Sequence, residues 1–489
     1  MPLTKRYSPW VIFVANEKQF VKDVADMEVD FPQWYTDVIL KTELVDYGPV
    51  KGTMVIRPYG YAIWENIQHE LNKRFKKAGA KNAYFPLLIP ESYLKKEAEH
   101  VEGFAPEVAV VTHAGGSKLQ EPLIIRPTSE TIICDMFAKW MKSYRDLPII
   151  INQWANVMRW EKTTRPFLRT SEFLWQEGHT VHATHEEAEA ETQLMLSVYK
   201  EFAENCLAIP VLTGKKTEKE KFAGAVATYG MEAMMLDGKS LQAGTSHYLG
   251  QNFAKSFNMR FLDKDGELKY GYSSSWGVST RLIGALIMAH GDQRGLVIPP
   301  VVAPIQVVII PVAMHKEGVL EKANELKEMF ENADIRVELD SRDASPGWKF
   351  NEWEMKGVPI RIEVGPRDIE NNKMVIMRRD TLVKCDATLG DVEFVKQMLD
   401  TVQKEMLEKS RKMRDSRIKE ASDLDGILNA VDAKCFVKAP WCSCRECEDK
   451  IKEKTQATSR IIFSEAGDNQ TCAVCGKKAD KVVVYARAY

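Results

Sequence analysis

The fold of this chain is decided by the stretch Arg159-Trp160-Glu161, continued by Arg169-Thr170 and then by Phe173-Leu174-Trp175-Gln176-Glu177. An apolar run, Ile149 to Val157, leads into it and a proline-containing polar tip, Lys162 to Pro166, divides it, so the pattern predicts a β-hairpin. Arginine offers anionic oxygens a rigid fork of donors, and glutamate accepts from an amine or holds Mg²⁺. An isolated Arg-x-Glu would indicate only a surface hairpin with ion pairs. This longer pattern predicts a site for a ligand that carries phosphates, a carboxylate and an amine.

The composition predicts a multidomain globular protein. The chain has 489 residues, more than one hydrophobic core normally serves, with 45% hydrophobic and 28% charged residues. Its net charge of −2 confines nucleic-acid binding to local patches, and the charged segments Glu186 to Glu204 and Lys215 to Lys221 are interpreted as solvated faces. Met1 to Trp10 has no secretory apolar core, and no apolar run is long enough to cross a bilayer. We therefore expect a cytoplasmic protein without a membrane partner.

Two further segments are informative when they are considered together with the hairpin. Apolar residues at four-residue spacing predict a helix from Tyr61 to Lys77, which Gly79 stops and an extended strand from Ala83 to Pro90 follows. Small residues from Ser273 to Thr280 allow a backbone to approach a ligand closely, and Arg281 then opens an apolar helix. Taken alone, these are a common helix–strand pair and a strand–helix turn with an incidental arginine.

A proline-rich boundary, Pro299 to Pro304, precedes a predicted α/β domain. Strand and helix patterns alternate beyond it, which indicates a small domain with a mixed sheet. The predicted strands are Val307 to Pro311, Ile335 to Leu339, Ile360 to Val364 and Met374 to Met377, and the predicted helices are Gly318 to Asn332 and Pro346 to Lys356. A charged helical stretch, Val392 to Ala421, then leads to the end of the chain.

The cysteines are concentrated near the C-terminus. Five of the nine are Cys442, Cys444, Cys447, Cys472 and Cys475, whereas Cys134, Cys206 and Cys385 are isolated and predicted to be small buried hydrophobes. A dense terminal cluster in a cytosolic chain favours a metal over disulfides. Two thiolate pairs, Cys442-x4-Cys447 and Cys472-x2-Cys475, suit a closed tetrahedral Zn²⁺ site, which would be structural. A first pair that includes Cys444 stays open on spacing alone.

These segments, in this order, resemble the motifs of class II aminoacyl-tRNA synthetases. The hairpin resembles motif 2, the helix and strand around Gly79 resemble motif 1, and Ser273 to Arg281 resembles motif 3, whose arginine meets ATP. The short distance from the hairpin to Gln242 leaves no room for a large editing insertion, so the resemblance is to the archaeal and eukaryote-like type of prolyl-tRNA synthetases. The stretches that resemble this family are Arg126-Pro127-Thr128-Ser129-Glu130, Gln242-Ala243-Gly244-Thr245-Ser246-His247, Pro346-Gly347-Trp348-Lys349-Phe350 and Trp353-Glu354-Met355-Lys356-Gly357-Val358-Pro359.

The resemblance implies an α+β multidomain fold and a function in translation. A class II catalytic core built on an antiparallel β-sheet would occupy residues 1–300, an α/β anticodon-binding domain 301–405, and a small α+β zinc-binding domain 406–489. The implied reaction activates L-proline with ATP and Mg²⁺ to prolyl-adenylate and transfers prolyl to the 3′ end of tRNA(Pro). The resemblance also implies a homodimer with its interface near Pro86, a C-terminal Tyr489 close to the active site, and Cys442 and Cys447 as the first zinc pair.

The resemblance assigns roles to individual residues. Arg159 and Arg281 are expected to be catalytic, because the carboxylate of proline and the α-phosphate of ATP repel each other and need positive charge between them. Arg159 would bridge both anions, while Mg²⁺ and Arg281 would balance the charge of the other phosphates. The implied proline site consists of Thr128, Glu130, Arg159, Trp175, Glu177 and His247. The implied ATP site consists of Arg159, Glu161, Arg169, Thr170, Gln242, Thr245 and Arg281.

Anticodon reading is the least specific of the implied roles. Lys349, Glu352, Glu354 and Lys356 follow a helical spacing that puts both lysines on one face. Glutamate can meet guanine edges and lysine can meet phosphates, and the proline anticodon contains two guanines. The alternative for this segment is an ordinary solvated amphipathic helix.

Each assignment has a plain structural alternative. Outside the family, His247 would be a satisfied structural histidine and Trp175 a core aromatic. A metal cluster of His179, His182, His185 and Glu186 is discounted, because the resemblance places catalytic zinc in the related threonine enzymes and the cysteine of such a site is missing. Two other functions compete: a catalytically silent tRNA-binding relative and a zinc-ribbon nucleic-acid adaptor. The intact hairpin argues against the first and the near-neutral net charge against the second.

Overall fold

The computed structural model describes residues 24–98 and 108–489. The predicted start of the catalytic region and the segment Met1 to Trp10, examined above for a secretory core, therefore lie outside the described residues. Within the described ranges, every helix is too short or too polar to span a lipid bilayer.

The first 300 residues hold most of the elements. The helices are α1 (Phe31–Lys41), α2 (Pro58–Lys77), α3 (Glu91–Ala98), α4 (Glu130–Trp140), α5 (His185–Asn205), α6 (Asn252–Ser256) and α7 (Arg281–His290). The strands are β1 (Val45–Tyr47), β2 (Met54–Ile56), β3 (Lys81–Asn82), β4 (Leu88–Pro90), β5 (Ala109–Ala114), β6 (Ser117–Ile125), β7 (Ile149–Met158), β8 (Glu172–His182), β9 (Val211–Lys215), β10 (Ala227–Met234), β11 (Ser240–Gly250), β12 (Arg260–Leu262), β13 (Leu268–Tyr270) and β14 (Tyr272–Ser279).

The remainder of the chain contributes a second sheet and the C-terminal elements. The helices are α8 (Val319–Glu331), α9 (Pro346–Met355), α10 (Pro366–Glu370), α11 (Val392–Ser416), α12 (Leu424–Asp432) and α13 (Arg445–Thr455). The strands are β15 (Val307–Pro311), β16 (Val337–Leu339), β17 (Ile360–Val364), β18 (Lys373–Arg378), β19 (Lys384–Thr388), β20 (Ile418–Glu420), β21 (Phe436–Trp441), β22 (Thr458–Glu465) and β23 (Lys481–Ala486).

The predicted hairpin is confirmed as β7 and β8, which pair in antiparallel register from Ile149↔Val181 to Met158↔Glu172. They belong to an eleven-stranded sheet of order β20-β21-β23-β22-β9-β10-β11-β14-β8-β7-β3. Its pairs are antiparallel except the two outermost, β20–β21 and β3–β7. The antiparallel catalytic sheet expected from the motifs is therefore present.

The helix and strand of the motif 1 segment are partly as predicted. Helix α2 begins at Pro58 rather than Tyr61, because proline is tolerated in a first turn, where no amide hydrogen is needed. The predicted strand from Ala83 to Pro90 is wrong in extent. Strand β3 pairs with β7 of the large sheet, whereas β4 pairs with β6 in a separate three-stranded sheet, β4-β6-β5. Pro86 lies between them and cannot donate to a ladder.

The α/β domain has the predicted mixed sheet, of order β16-β15-β17-β18-β19. Strand β15 pairs in parallel with β16 and β17, and β18 continues antiparallel. Two short elements, α10 and β19, carry too little periodicity to be recognised in the sequence. The single helix α11 continues from this domain to residue 416, so the predicted boundary at 405 falls within it.

The C-terminal strands extend the large sheet instead of forming a separate layer. Strand β22 pairs with β9 at Ile462↔Lys215. Gly214 makes this close approach possible, because a Cβ at that position would lie 2.7 Å from the carbonyl oxygen of Ile462. The C-terminal unit is thus continuous with the region predicted to be catalytic.

Candidate functional site

A cavity of about 340 Å³ opens beside the centre of the large sheet. Residues of β8, β10, β11 and β14 and the first residues of α4 and α7 line it, together with Thr128, with Arg159 just after β7 and with the loop before β10. The residues predicted for the proline and ATP sites that line it are Thr128, Glu130, Arg159, Trp175, Glu177, Gln242, Thr245, His247 and Arg281. Glu161, Arg169 and Thr170 are not among the lining residues.

Strand register explains why positions far apart in the chain meet here. Gly277 of β14 pairs with Glu177 of β8 on one side and with Thr245 of β11 on the other. Two residues away, Ser275 pairs with His179 and with His247. Because alternate residues of a strand share a face, both rows present their side chains on the same side of the sheet.

Arg159 is held on one edge of its guanidinium and presents the other edge to the cavity. Its Nε donates to the carbonyl oxygen of Pro127 at 3.1 Å, and its Cζ lies 5.6 and 5.7 Å from the ring centroids of Phe173 and Trp175. Burial lowers the pKa of Arg159, while the charges of Glu130 and Glu177 oppose this shift. A guanidinium stays protonated in any protein environment, so the cavity contains a desolvated, rigid cation.

The acidic side of the cavity, which faces the cation Arg159, is formed by Thr128, Glu130 and Glu177. Thr128 Oγ1 donates to Glu130 Oε2. Glu177 is saturated: Ser129 Oγ and Gln153 Nε2 reach its Oε1 at 2.5 and 2.9 Å, and His179 Nε2 lies 3.0 Å from its Oε2. Burial would raise the pKa of Glu177, but His179 and these hydrogen bonds outweigh it and hold that pKa below its usual value. Glu177 therefore shapes the wall, and Glu130 is the carboxylate left to accept from an amine.

His247 is neutral and hydrogen-bonded. Burial, with the charges of His179 and Lys216, lowers the pKa of His247 to about 3. Its Nδ1 lies 3.0 Å from Thr228 Oγ1, which also accepts from the backbone N–H of Phe222 at 3.0 Å. The structure combines both interpretations of this histidine, since it is satisfied internally and still lines the cavity.

The other end of the cavity is cationic. Arg281 Nε donates to the carbonyl oxygen of Leu168 at 3.1 Å and Nη1 to that of Gln242 at 3.3 Å. Burial lowers the pKa of Arg281, and the charges of Arg159 and Arg169 lower it further. Such a concentration of like charge suits a polyanion such as a nucleotide phosphate chain.

Residues at the hairpin tip contact each other rather than the cavity. Arg169 Nε pairs with Glu161 Oε2 at 2.8 Å, and the Arg169 side chain is 63% exposed. Thr170 Oγ1 donates to the backbone carbonyl of Glu172 at 2.7 Å. The structure therefore does not bring these three predicted ATP contacts into the cavity wall.

The interpretation of Lys215 to Lys221 as a solvated face is wrong. Lys216 and Thr217 are each 2% exposed, and Glu220 and Phe222 line the cavity. The ring of Phe222 lies 4.8 Å from that of His247.

The lining residues Glu220 and Phe222 were not predicted from the sequence because lysines dominate the segment. An aromatic residue within a lysine run, followed by Ala223-Gly224, was the available signal. Ser275 to Ser279 line the cavity, as expected of the stretch predicted to approach a ligand closely. The other lining residues to which the sequence analysis gave no role are Phe173, His179, Thr228, Ala243 and Gly244.

Four of the five C-terminal cysteines converge. The sulfurs of Cys442, Cys447, Cys472 and Cys475 lie within 4.8 Å of one another, and they form the group in the described ranges able to hold a metal ion. The Cys442 sulfur is 3.7 Å from that of Cys447 and 3.6 Å from that of Cys475. Sulfurs about 2.3 Å from a tetrahedral zinc ion are about 3.8 Å apart, so the spacing fits Zn²⁺. The Cys444 thiol instead donates to Glu446 Oε2 at 2.6 Å and lies outside this group of four sulfurs.

The predicted anticodon residues do not share an exposed face. Lys349 is 1% exposed and its Nζ donates to the carbonyl oxygen of Asp340 at 3.0 Å, so its expected contact with RNA is not supported. Glu354 pairs with Arg294 and Arg361. Glu352 and Lys356 lie partly exposed at the end of α9, paired with each other at 3.3 Å. Lys349 is buried because α9 packs against β15 and the Lys349 side chain reaches Asp340, just after β16.

Comparison with known proteins gives consistent matches along the chain. The family described as "tRNA synthetase class II core domain (G, H, P, S and T)" matches residues 112–290, "Anticodon binding domain" matches 306–398, and "Prolyl-tRNA synthetase, C-terminal" matches 424–489. The chain is 62% identical over 478 residues to the proline–tRNA ligase of Alkaliphilus oremlandii (strain OhILAs), which covers 97% of this chain and 99% of that protein. The corresponding protein of Acetoanaerobium sticklandii is 60% identical over the same share of each.

A solved structure is similar over nearly the whole length. The crystal structure of prolyl-tRNA synthetase from Cryptosporidium parvum, complexed with halofuginone and AMPPNP, superimposes with a TM-score of 0.92 at 42% identity. The match covers 96% of this chain and 99% of that one.

Proposed function

The chain belongs to the prolyl-tRNA synthetases, and its function is proline–tRNA ligation. On this basis we propose which of its residues carry out the reaction. The observation that carries the proposal is Arg159. It is coupled electrostatically to Glu130 at one end of the cavity and to Arg281 at the other. A ligand with a cationic amine, a carboxylate and a phosphate would meet these groups in that order.

Proline binds at the acidic end. Its secondary ammonium group has two protons, for which Thr128 Oγ1 and Glu130 are the acceptors. Its carboxylate then meets Arg159, and its ring lies against Trp175, His247 and Phe222. A neutral His247 suits an apolar ring, because a charged imidazolium would have to be desolvated there.

ATP binds at the cationic end, with its α-phosphate at Arg159 and its outer phosphates towards Arg281. A carboxylate oxygen of proline attacks the α-phosphorus, the bond from that phosphorus to the bridging oxygen breaks, and pyrophosphate leaves. The terminal adenosine of tRNA(Pro) then attacks the prolyl carbonyl through a ribose hydroxyl, and AMP leaves. Gln242 and Thr245 complete the nucleotide side, and the AMPPNP complex of the related structure supports nucleotide binding by this fold.

We propose that Mg²⁺ arrives with the nucleotide. Magnesium usually keeps several waters and takes one or two protein carboxylates beside the phosphates. The charges of two carboxylates, Glu232 and Glu161, act on Arg281. Glu232 is held between Lys216 and Arg460, whereas Glu161 pairs with Arg169 through Oε2 and has a side chain that is 25% exposed, so Glu161 suits this role. When bound, the ion would neutralise phosphate charge. Opening of the Glu161–Arg169 pair would also release Arg169 towards ATP, and Thr170 would reach ATP by exchanging its hydrogen bond to the carbonyl oxygen of Glu172.

The proposed amine site is tested by pyrophosphate–ATP exchange with Thr128→Ala and Glu130→Ala. We expect exchange to depend on proline and the KM for proline to rise about ten- to hundred-fold in each variant, because a buried charge-assisted hydrogen bond is lost. The KM for ATP should stay within about two-fold, since neither residue faces the phosphates. Parallel increases in both constants would contradict the amine site. No proline-dependent exchange in the parent would favour a catalytically silent relative.

We further propose that the chain is a homodimer whose interface includes the three-stranded sheet. Tyr84, Leu88, Val110 and Trp140 are 72%, 43%, 48% and 49% exposed on or beside it, and clustered exposed apolar side chains mark association surfaces. Sedimentation at micromolar concentration should give twice the monomer mass, and Leu88→Asp should shift it to the monomer. Met329→Asp, on exposed α8, is the matched control and should remain dimeric. A fully active monomeric parent would refute the proposal.

Three further assignments complete the proposal. Cys442, Cys447, Cys472 and Cys475 would hold a closed structural Zn²⁺.

Glu352, Glu354 and Lys356 would contribute to anticodon binding at the end of α9. The chain would act in the cytoplasm, where translation takes place, with the catalytic region reaching to about residue 300, the anticodon-binding region to α11, and the zinc-binding region beyond it.

A further inference from the structure

One wall of the cavity is a short, mostly polar segment whose Phe222 packs against the neighbouring hydrophobic core. This pocket loop, residues 216–222, connects β9 to β10. Its Glu220 and Phe222 line the cavity, and the Phe222 ring packs against His247. Ordering a lysine-rich connection costs conformational entropy, which its contacts must offset. The position of the pocket loop therefore depends on what holds it from outside the cavity.

The first anchor of the pocket loop comes from α13. Thr217 Oγ1 donates to Glu448 Oε1 at 3.0 Å, and Ser459 Oγ donates to the same oxygen. Both Thr217 and Glu448 are buried, at 2% and 3% exposure. Next to this contact, Lys219 Nζ pairs with Asp449 Oδ1 at 2.5 Å. Two consecutive residues of α13 thus hold two residues of the pocket loop.

The second anchor comes from β22. Glu232 of β10 is fully buried between two cations: Lys216 Nζ lies 2.5 Å from its Oε1, and Arg460 Nη2 lies 3.0 Å from its Oε2. Burial would raise the pKa of Glu232, but the charges of Lys216 and Arg460 outweigh it and lower that pKa. Gly230 provides the room, since a Cβ there would lie 2.5 Å from Lys216 Cε. The start of the pocket loop is therefore fixed to the C-terminal unit as well.

We propose that the C-terminal unit, residues 418–489, positions the pocket loop for proline binding, with Glu448, Asp449 and Arg460 as positioning residues. None of the three lines the cavity. Glu448 and Asp449 act through Thr217 and Lys219, and Arg460 acts through Glu232, which pairs with Lys216. The proposal rests on the assignment of this cavity as the proline site. It extends that assignment by giving the C-terminal unit a role in the amino-acid affinity of the catalytic core.

The same geometry identifies how the cysteine cluster reaches the active site. Cys447 immediately precedes Glu448 on α13, so a change at the cysteines is transmitted to the pocket loop through one helix. The C-terminal Tyr489 provides no such route in this structure. Its hydroxyl donates to Asp237 Oδ2 at 2.7 Å, and it is not among the residues lining the cavity.

The test uses Thr217→Val, which removes the hydroxyl, keeps the side-chain shape and leaves every cysteine untouched. In pyrophosphate exchange with the full-length enzyme, the KM for proline should rise about ten-fold, because a buried hydrogen bond to a charged group is lost. The turnover number and the KM for ATP should stay within about two-fold, because Arg159 and Arg281 are held by other contacts. Lys450→Ala, on the exposed side of the same helix, is the matched control and should leave all three constants unchanged.

Two further measurements separate positioning from general destabilisation. Amide hydrogen exchange should show faster exchange in residues 217–224 of Thr217→Val, with unchanged exchange in α7. Glu448→Ala should reproduce the proline defect, and Glu448→Gln should restore most of the affinity because the amide oxygen still accepts from Thr217. An unchanged KM for proline in Thr217→Val, or equal losses for proline and ATP, would overturn the proposal. If the parent itself shows no proline-dependent exchange, the assignment of the cavity fails instead.

Discussion

Replacement of Arg159 by alanine is expected to lower proline-dependent pyrophosphate exchange by at least about 10³-fold, the scale measured for arginines and oxyanion donors that stabilise a transition state. One guanidinium serves both the carboxylate that attacks and the phosphate that is attacked. It also carries its charge in a desolvated site, where the attraction is stronger than in water. The loss of activity should appear in pyrophosphate exchange, as a lower kcat/KM. It should also appear as slower formation of the adenylate in single-turnover experiments.

Two controls distinguish loss of this function from loss of structure. Arg159→Lys should recover only part of the rate, because an ammonium keeps the charge but loses the planar fork. Arg260→Ala removes an exposed arginine from β12 and should change the rate by less than about two-fold. Near-normal exchange by Arg159→Ala, with a melting temperature like that of the parent, would refute the proposed bridge between the substrates.

The second large effect concerns the cysteine cluster. Replacement of Cys447 by serine should reduce bound zinc from about one ion per chain to a small fraction, measured by metal analysis of protein purified without chelators. Structural zinc contributes an apparent binding free energy of about 10–16 kcal/mol in small zinc-finger peptides. The cluster lies against the core around Trp441, Ile451 and Val483, so this region should exchange its amide hydrogens faster in the variant.

Cys444→Ser is the matched control for this prediction. The Cys444 thiol interacts with Glu446 and lies outside the group of four sulfurs, so zinc content and exchange in α13 should equal those of the parent. Zinc retained in Cys447→Ser would contradict the proposed ligands. Zinc lost in Cys444→Ser would show that the first pair includes Cys444.

The features that could be predicted from the sequence share a local signature. Strand alternation and the proline-containing tip predict the hairpin of β7 and β8, and four-residue spacing predicts α2, because backbone periodicity decides which side chains share a face. The spacing of the cysteines predicts the zinc-type cluster, because each closely spaced pair can present two thiolates to one metal ion. The order of the segments around Glu130, Arg159 and Arg281 carried the resemblance to the family, and that resemblance implied the chemistry of the cavity.

Only the tertiary structure decided how distant segments complete the site. Thr217 and Glu448 are 231 residues apart, and their contact depends on the pairing of β22 with β9 across the large sheet. The burial of Lys216 and Lys349 depends on partners from other segments, so their charge suggests exposure when the sequence is considered alone. Local patterns encode the period and ends of each element, whereas the register between strands is set by packing over the whole sheet. For this reason the sequence indicated the chemistry of the proposed site, and the tertiary structure alone determined which segments form its walls and contact them.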